Sequence, residues 1–207
     1  MKGNEIERQS FRIIEDEAGD HGLDERQWPI VRRMIHTSAD FEYIRTARFH
    51  PEAVEMGIRA VRNKEPIITD TAMAMAGIRK KMAERFGCRV ECLISRADVV
   101  EAAREKDLTR AEAAVDAAVE SVDNGIFVVG NAPTALMRLM ELVRLGKAAP
   151  SLILGFPVGF VNAAESKEAL LSFEVPFITG IGRKGGSNIA AAVVNALLIM
   201  AEEREGS

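Results

Sequence analysis

The sequence predicts an α/β fold, a three-layer α/β/α sandwich on a largely parallel five-stranded sheet, and three observations carry that prediction. First, five short runs of continuous apolar character recur: residues 66–69 (PIIT), 89–94 (RVECLI), 125–130 (GIFVVG), 151–155 (SLILG) and 175–179 (VPFIT). Runs without polar alternation suit strands covered on both faces. Second, stretches with helical periodicity separate them, the alternation expected of a parallel sheet with crossover helices. Third, no internal repeat, low-complexity tract or long linker interrupts the rhythm. With 207 residues and 47% hydrophobic content, the chain can build one sizeable core and is short for two domains, so residues 1–207 read as a single domain.

Each element has a local reason. A helix over residues 4–18 begins with a capping pattern, Asn4 with Glu7, and sets Ile6, Ser10, Ile13 and Ile14 near one stripe before Gly19 ends it. Ser10 either back-bonds to its own helix or faces a pocket. Asp24 with Gln27 repeats the capping pattern and opens a helix that accepts Pro29 in its first turns and delivers His36. Residues 43–49 alternate enough for a short strand. Pro51 then opens a helix through Arg62, with Val54, Ile58 and Val61 on its buried side. Later helices are marked by Met73, Ile78 and Met82, by Thr109 with Glu112, by Pro133 at a first turn, and by an alanine-rich segment after Ser187.

Composition narrows the function classes. A net charge of -4 argues against a protein that tracks nucleic-acid phosphates, which would carry a basic excess. No run reaches the length of a membrane span, and MKGNEIERQS lacks the apolar core of a signal peptide, so a cytoplasmic protein is expected, with no membrane partner. Cys88, immediately before the second predicted strand, and Cys92 within it would share one face if the extended run includes both, about 13 Å apart at the usual rise. That is too far for a disulfide, so they read as core thiols. The three histidines (His21, His36, His50) lie apart from one another and from the cysteines, and no metal site is expected.

In such a sheet ligands bind beyond the carboxyl ends of the strands. The loops there are rich in donors and poor in nucleophiles. Gly180, Gly182 and Gly185 spell GxGxxG between a strand and a helix, the context of a dinucleotide fingerprint. That fingerprint also requires an acidic residue closing a following strand, whereas Glu202 and Glu203 lie in the last helix. An anion nest is the preferred reading: backbone N–H groups of Gly185, Gly186 and Ser187 at a helix start, with Arg183 and Lys184 adding charge. Asn131, in the turn GNAPTAL, reads equally as a turn residue or a ligand contact. Arg96, after RVECLI, is expected to face the crevice. No P-loop, catalytic triad or metal-like carboxylate cluster appears. The remaining candidate for chemistry is His36 in VRRMIHTSAD, an imidazole at an apolar-to-polar boundary, where it can exchange a proton near neutral pH. On a continuing helix Asp40 would lie one turn on and could orient it.

VRRMIHTSAD, GNAPTALM, LGFPVGFVNAAESKEAL and GRKGGSNIAAAVVNAL, in this order, resemble the precorrin-8X methylmutases, also called cobalt-precorrin-8 methylmutases, of cobalamin biosynthesis. The resemblance runs from about Glu5 to the last helix. It implies an isomerase that moves a methyl group from C-11 to C-12 of a corrin-type macrocycle, without a redox or nucleotide cofactor, in a homodimer with sites near the subunit interface. It places the catalytic histidine on His36, a serine of the first helix on Ser10, an arginine after the strand on Arg96, and the glycine-rich block on residues 183–187. A macrocycle with acetate and propionate arms would account for an acidic protein that gathers donors in its loops. The expected arrangement is a cavity shared by His36, Arg96 and the final glycine turn. A non-catalytic corrinoid carrier and a nucleotide-dependent oxidoreductase are the competing readings.

Overall fold

The computed structural model describes residues 3–122 and 124–203. The chain runs α1 (Gly3–Ala18), α2 (Trp28–Ser38), α3 (Tyr43–Thr46), β1 (Ala47–Phe49), α4 (Ala53–Arg62), β2 (Ile67–Thr69), α5 (Ala72–Gly77), α6 (Lys80–Phe86), β3 (Val90–Cys92), α7 (Ala97–Glu105) and α8 (Arg110–Ser121). It continues through β4 (Ile126–Val129), α9 (Pro133–Arg144), β5 (Leu152–Gly155), α10 (Ala163–Leu170), β6 (Phe177–Gly180) and α11 (Ser187–Glu203). The Asn4 side chain, half of the first expected capping pair, lies outside the described residues. Asp24 accepts from the Gln27 amide at 2.8 Å in the turn that precedes α2, whose own N-cap, Gln27, makes no side-chain cap bond, so the second expected capping box is not formed. Thr109 and Glu112 form both halves of their box at the start of α8.

The sheet order is β1-β6-β5-β4-β2-β3. Five strands are parallel, as expected, and β1 adds a sixth, antiparallel to β6 with Ala47 opposite Gly180. The expected strand over 43–49 is therefore halved. Tyr43–Thr46 closes one helical turn, and only the last three residues reach the sheet edge. Along the central strands side chains alternate between two cores. Ile67, Ile126, Val128, Leu152, Leu154 and Ile178 face α1, α2, α4 and α11. Ile68, Phe127, Val129, Ile153 and Phe177 face α7, α8, α9 and α10. Period-two geometry with both faces apolar makes the middle layer.

From β2 the chain steps out to β3 at one edge, then returns past β2 to β4 and onward. The reversal lies between β2 and β4, the switch point of a doubly wound sheet. Helix α11 is buried along nearly its whole length and packs on α2, α4 and α5. Its Asn195 accepts from the Arg79 amide (2.8 Å) and donates to the Gly77 carbonyl (2.9 Å), fixing the joint between α5 and α6.

Candidate functional site

Helix α2 buries Ile30, Val31, Met34 and Ile35, and this stripe turns His36 outward in the last turn, exposed. Its imidazole lies on the Phe11 ring of α1 at 4.7 Å between centroids. Among the described residues His36 has no hydrogen-bond partner, which leaves both ring nitrogens available. Ser10, next to Phe11, is half-buried.

The helix stops immediately beyond. Ala39 is left-handed (φ 55°) and its N–H returns to the Ile35 carbonyl. Asp40 is thus carried off the helix, and the expectation that it orients His36 is corrected. Its carboxylate accepts from Lys184 Nζ (2.5 Å) and from the Glu42 amide (3.0 Å). The Lys184 bond, above all, holds Asp40 below the usual carboxylate range. Glu42 takes a second bond from the same ammonium. Lys184 so ties the glycine loop to the segment that follows His36.

Within that loop the glycines answer to packing. A side chain on Gly185 would run into the Phe156 carbonyl, and the Gly186 amide donates to that same oxygen at 2.9 Å with φ at 121°. Ser187 is buried and shares a 2.7 Å hydrogen bond with the Thr71 hydroxyl. Arg183 is exposed, its guanidinium 5.4 Å from the Phe160 ring centroid. Gly180 belongs to β6, and no strand follows α11 among the described residues. Glu202 and Glu203 lie on α11 itself and not at the end of a strand, where a dinucleotide fingerprint sets its acidic residue.

At the switch point a carboxylate is already in position. Buried Asp70 accepts from the amides of Gly130 (2.8 Å), Asn131 (2.8 Å) and Ala132 (2.9 Å). Burial pushes its carboxyl upward in pKa against those three donors, which favour the charged form. The Asn131 side chain is exposed at this turn. Arg96 clamps Asp98 with two N–H groups and lines a 320 Å³ cleft between α7 and α8. Four strand steps separate the ends of β3 and β6, about 19 Å at the usual spacing. The cleft that Arg96 lines includes neither His36 nor the glycine turn, so it is not the shared cavity expected of the three. The residues brought together are His36, Phe11 and the segment latched by Lys184.

Two features escaped the sequence reading. Lys167 is fully buried, its ammonium 2.6 Å from the Lys184 carbonyl, and burial drives its pKa down to about 8. Ala163, Ser166, Lys167 and Leu170 are the buried positions of α10, and this i, i+3, i+4, i+7 stripe was the available signal. The second is an arginine cluster in which Arg33 and Arg79 converge on Glu7.

The fold and these loops define a doubly wound α/β protein with a histidine-bearing helix end beside the last strand's loop. A family model described as precorrin-8X methylmutase matches residues 5–200. The chain is 46% identical to the cobalt-precorrin-8 methylmutase of Priestia megaterium, over 98% of this chain and 90% of that protein. It is 40% identical to the precorrin-8X methylmutase of Pseudomonas aeruginosa, over 98% and 97%. A crystal structure of the precorrin-8X methylmutase from Thermus thermophilus superposes with a TM-score of 0.91 at 46% identity, covering 98% of both chains. The chain belongs to the precorrin-8X methylmutase family and is an isomerase of cobalamin biosynthesis.

Proposed function

We propose that the protein moves a methyl group from C-11 to C-12 of precorrin-8 or its cobalt form, giving hydrogenobyrinate or cobyrinate, with His36 as proton donor. The observation that carries this reading is the state of His36: exposed, seated on Phe11 and without a hydrogen-bond partner among the described residues. A sigmatropic shift breaks the C-11 bond to the methyl as the C-12 bond forms, and needs no nucleophile. It needs the ring's electrons redistributed, and an imidazole that lends a proton to the macrocycle and recovers it does so without net change. Rigid holding of the substrate supplies the rest. Ser10, Arg96, Asn131, Arg183, Lys184, Gly185, Gly186 and Ser187 are the residues we assign to substrate binding.

We further propose a homodimer, acting in the cytoplasm as one domain per chain, with the site near the subunit interface. Exposed Phe160 (83%) and Val161 (76%) beside Arg183 offer apolar surface for a second copy. A partner would also reconcile Arg96 with the site, since within one chain the sheet's width separates it from the glycine loop. Among the described residues no group suited to a metal ion and no membrane-crossing helix occurs.

The test is turnover of precorrin-8 followed by absorption. Wild type should convert the spectrum to that of the product. His36→Ala should leave it unchanged while keeping its melting temperature and its tight binding of product. Full activity in that variant would remove the mechanism, and an unchanged spectrum with wild type would instead indicate a carrier.

A further inference from the structure

We propose that Arg33 and Arg79, gathered on Glu7, form a subsite beside His36 that takes one carboxylate arm of the substrate. This deepens the reading above, because it requires a polycarboxylate ligand.

Arg33 comes from α2 and Arg79 from the joint before α6, and both reach Glu7 Oε1 of α1, at 3.4 and 3.1 Å. Neighbouring Arg32 pairs with Glu15 at 2.8 Å, and its Nε, shielded from solvent, has no acceptor among the described residues. In these pairs, among the described residues, three guanidiniums face two carboxylates. The shortfall in counter-charge shows at Arg33, only 16% exposed in its side chain. Burial, joined by the charges of Arg79 and Arg32, holds its pKa down despite Glu7. Each guanidinium carries five N–H groups in a planar fork suited to carboxylate, so Glu7 leaves donors unused on both.

Position ties the cluster to the chemistry. The Phe11 ring lies 4.9 Å from Arg32 Cζ, 5.2 Å from Arg33 Cζ and 4.7 Å from the imidazole centroid. The Arg33 guanidinium and His36, each against the Phe11 ring, consequently stand no more than about 10 Å apart. The Arg79 backbone is pinned by Asn195 of the buried α11. The subsite is preorganised on packed helices, which lowers the ordering cost of binding.

Arg79 is exposed, so Arg79→Gln should fold, and Arg79→Lys keeps the charge without the fork. Binding of hydrogenobyrinate, followed by absorption, should weaken about tenfold in Arg79→Gln. Its salt dependence should become shallower, with an unchanged melting temperature. Arg79→Lys should recover part of the loss. Tricarballylate, a corrin-free tricarboxylate, should shift the NMR signals of the His36 ring in wild type and not in Arg79→Gln. Equal binding of both compounds by wild type and Arg79→Gln would overturn the proposal. If wild type fails to convert precorrin-8 while tricarballylate still shifts His36 in an Arg79-dependent way, the subsite stands and the assigned reaction falls.

Discussion

Replacing Lys167 by methionine removes a buried ammonium and keeps an unbranched side chain of similar length. Burial lowers the lysine from an ordinary 10.5 to about 8. Between those values the unfolded chain holds a proton that the folded chain has released, so wild-type stability rises with pH across the window from about 8 to 10.5. At 1.36 kcal/mol per unit the gain is about 3 kcal/mol. The methionine variant lacks this term. At pH 7 the two proteins should differ little, because relief from burying a charge offsets loss of the 2.6 Å bond to the Lys184 carbonyl. Burial raises Cys88 to about 11 and Tyr43 to about 12. These groups withdraw stability at higher pH in both proteins and cancel in the difference. Urea unfolding of both at half-unit steps from pH 7 to 10 measures it. A difference that stays flat across the series would refute the reasoning, and so would one that runs the other way.

Gly185→Ala sets a methyl group into the Phe156 carbonyl and within 2.9 Å of the Pro157 oxygen. Thermal melting should show a loss of at least ~2 kcal/mol. Asp70→Asn leaves an amide where three N–H groups converge, and one amide oxygen cannot satisfy all of them. A loss of about 2–3 kcal/mol, read as a lower urea midpoint at constant m value, is expected.

The layered architecture was legible because its signals are local. Apolar runs such as IFVV and LILG have no polar face to show, and capping residues such as Thr109 mark helix starts within three positions. The sixth strand was not legible as part of the sheet. Ala47–Phe49 is held by pairing with β6, more than a hundred residues away, and three residues carry too little pattern to announce that. The place of His36 on the outward side of a helix end was legible because that helix supplies a sharp apolar stripe. The role given to Asp40 failed because Ala39 turns left-handed, a conformation uncommon outside glycine and asparagine, which nothing in TSAD foretells. Lys167 was given no role from the sequence, although its place on the α10 stripe was visible. The convergence of Arg33 and Arg79 is tertiary and depends on how α1, α2 and the α5–α6 joint meet.

Asp70 gives the fold a built-in tenant. Main-chain amides at the mouth of a doubly wound sheet are the groups that elsewhere welcome a phosphate, and here an aspartate of the protein itself has taken the vacancy permanently. A nucleotide arriving at that doorway would find those amides already donating to a carboxyl group of the protein. The scaffold has thereby filled with its own side chain the place where its architecture most often receives a ligand.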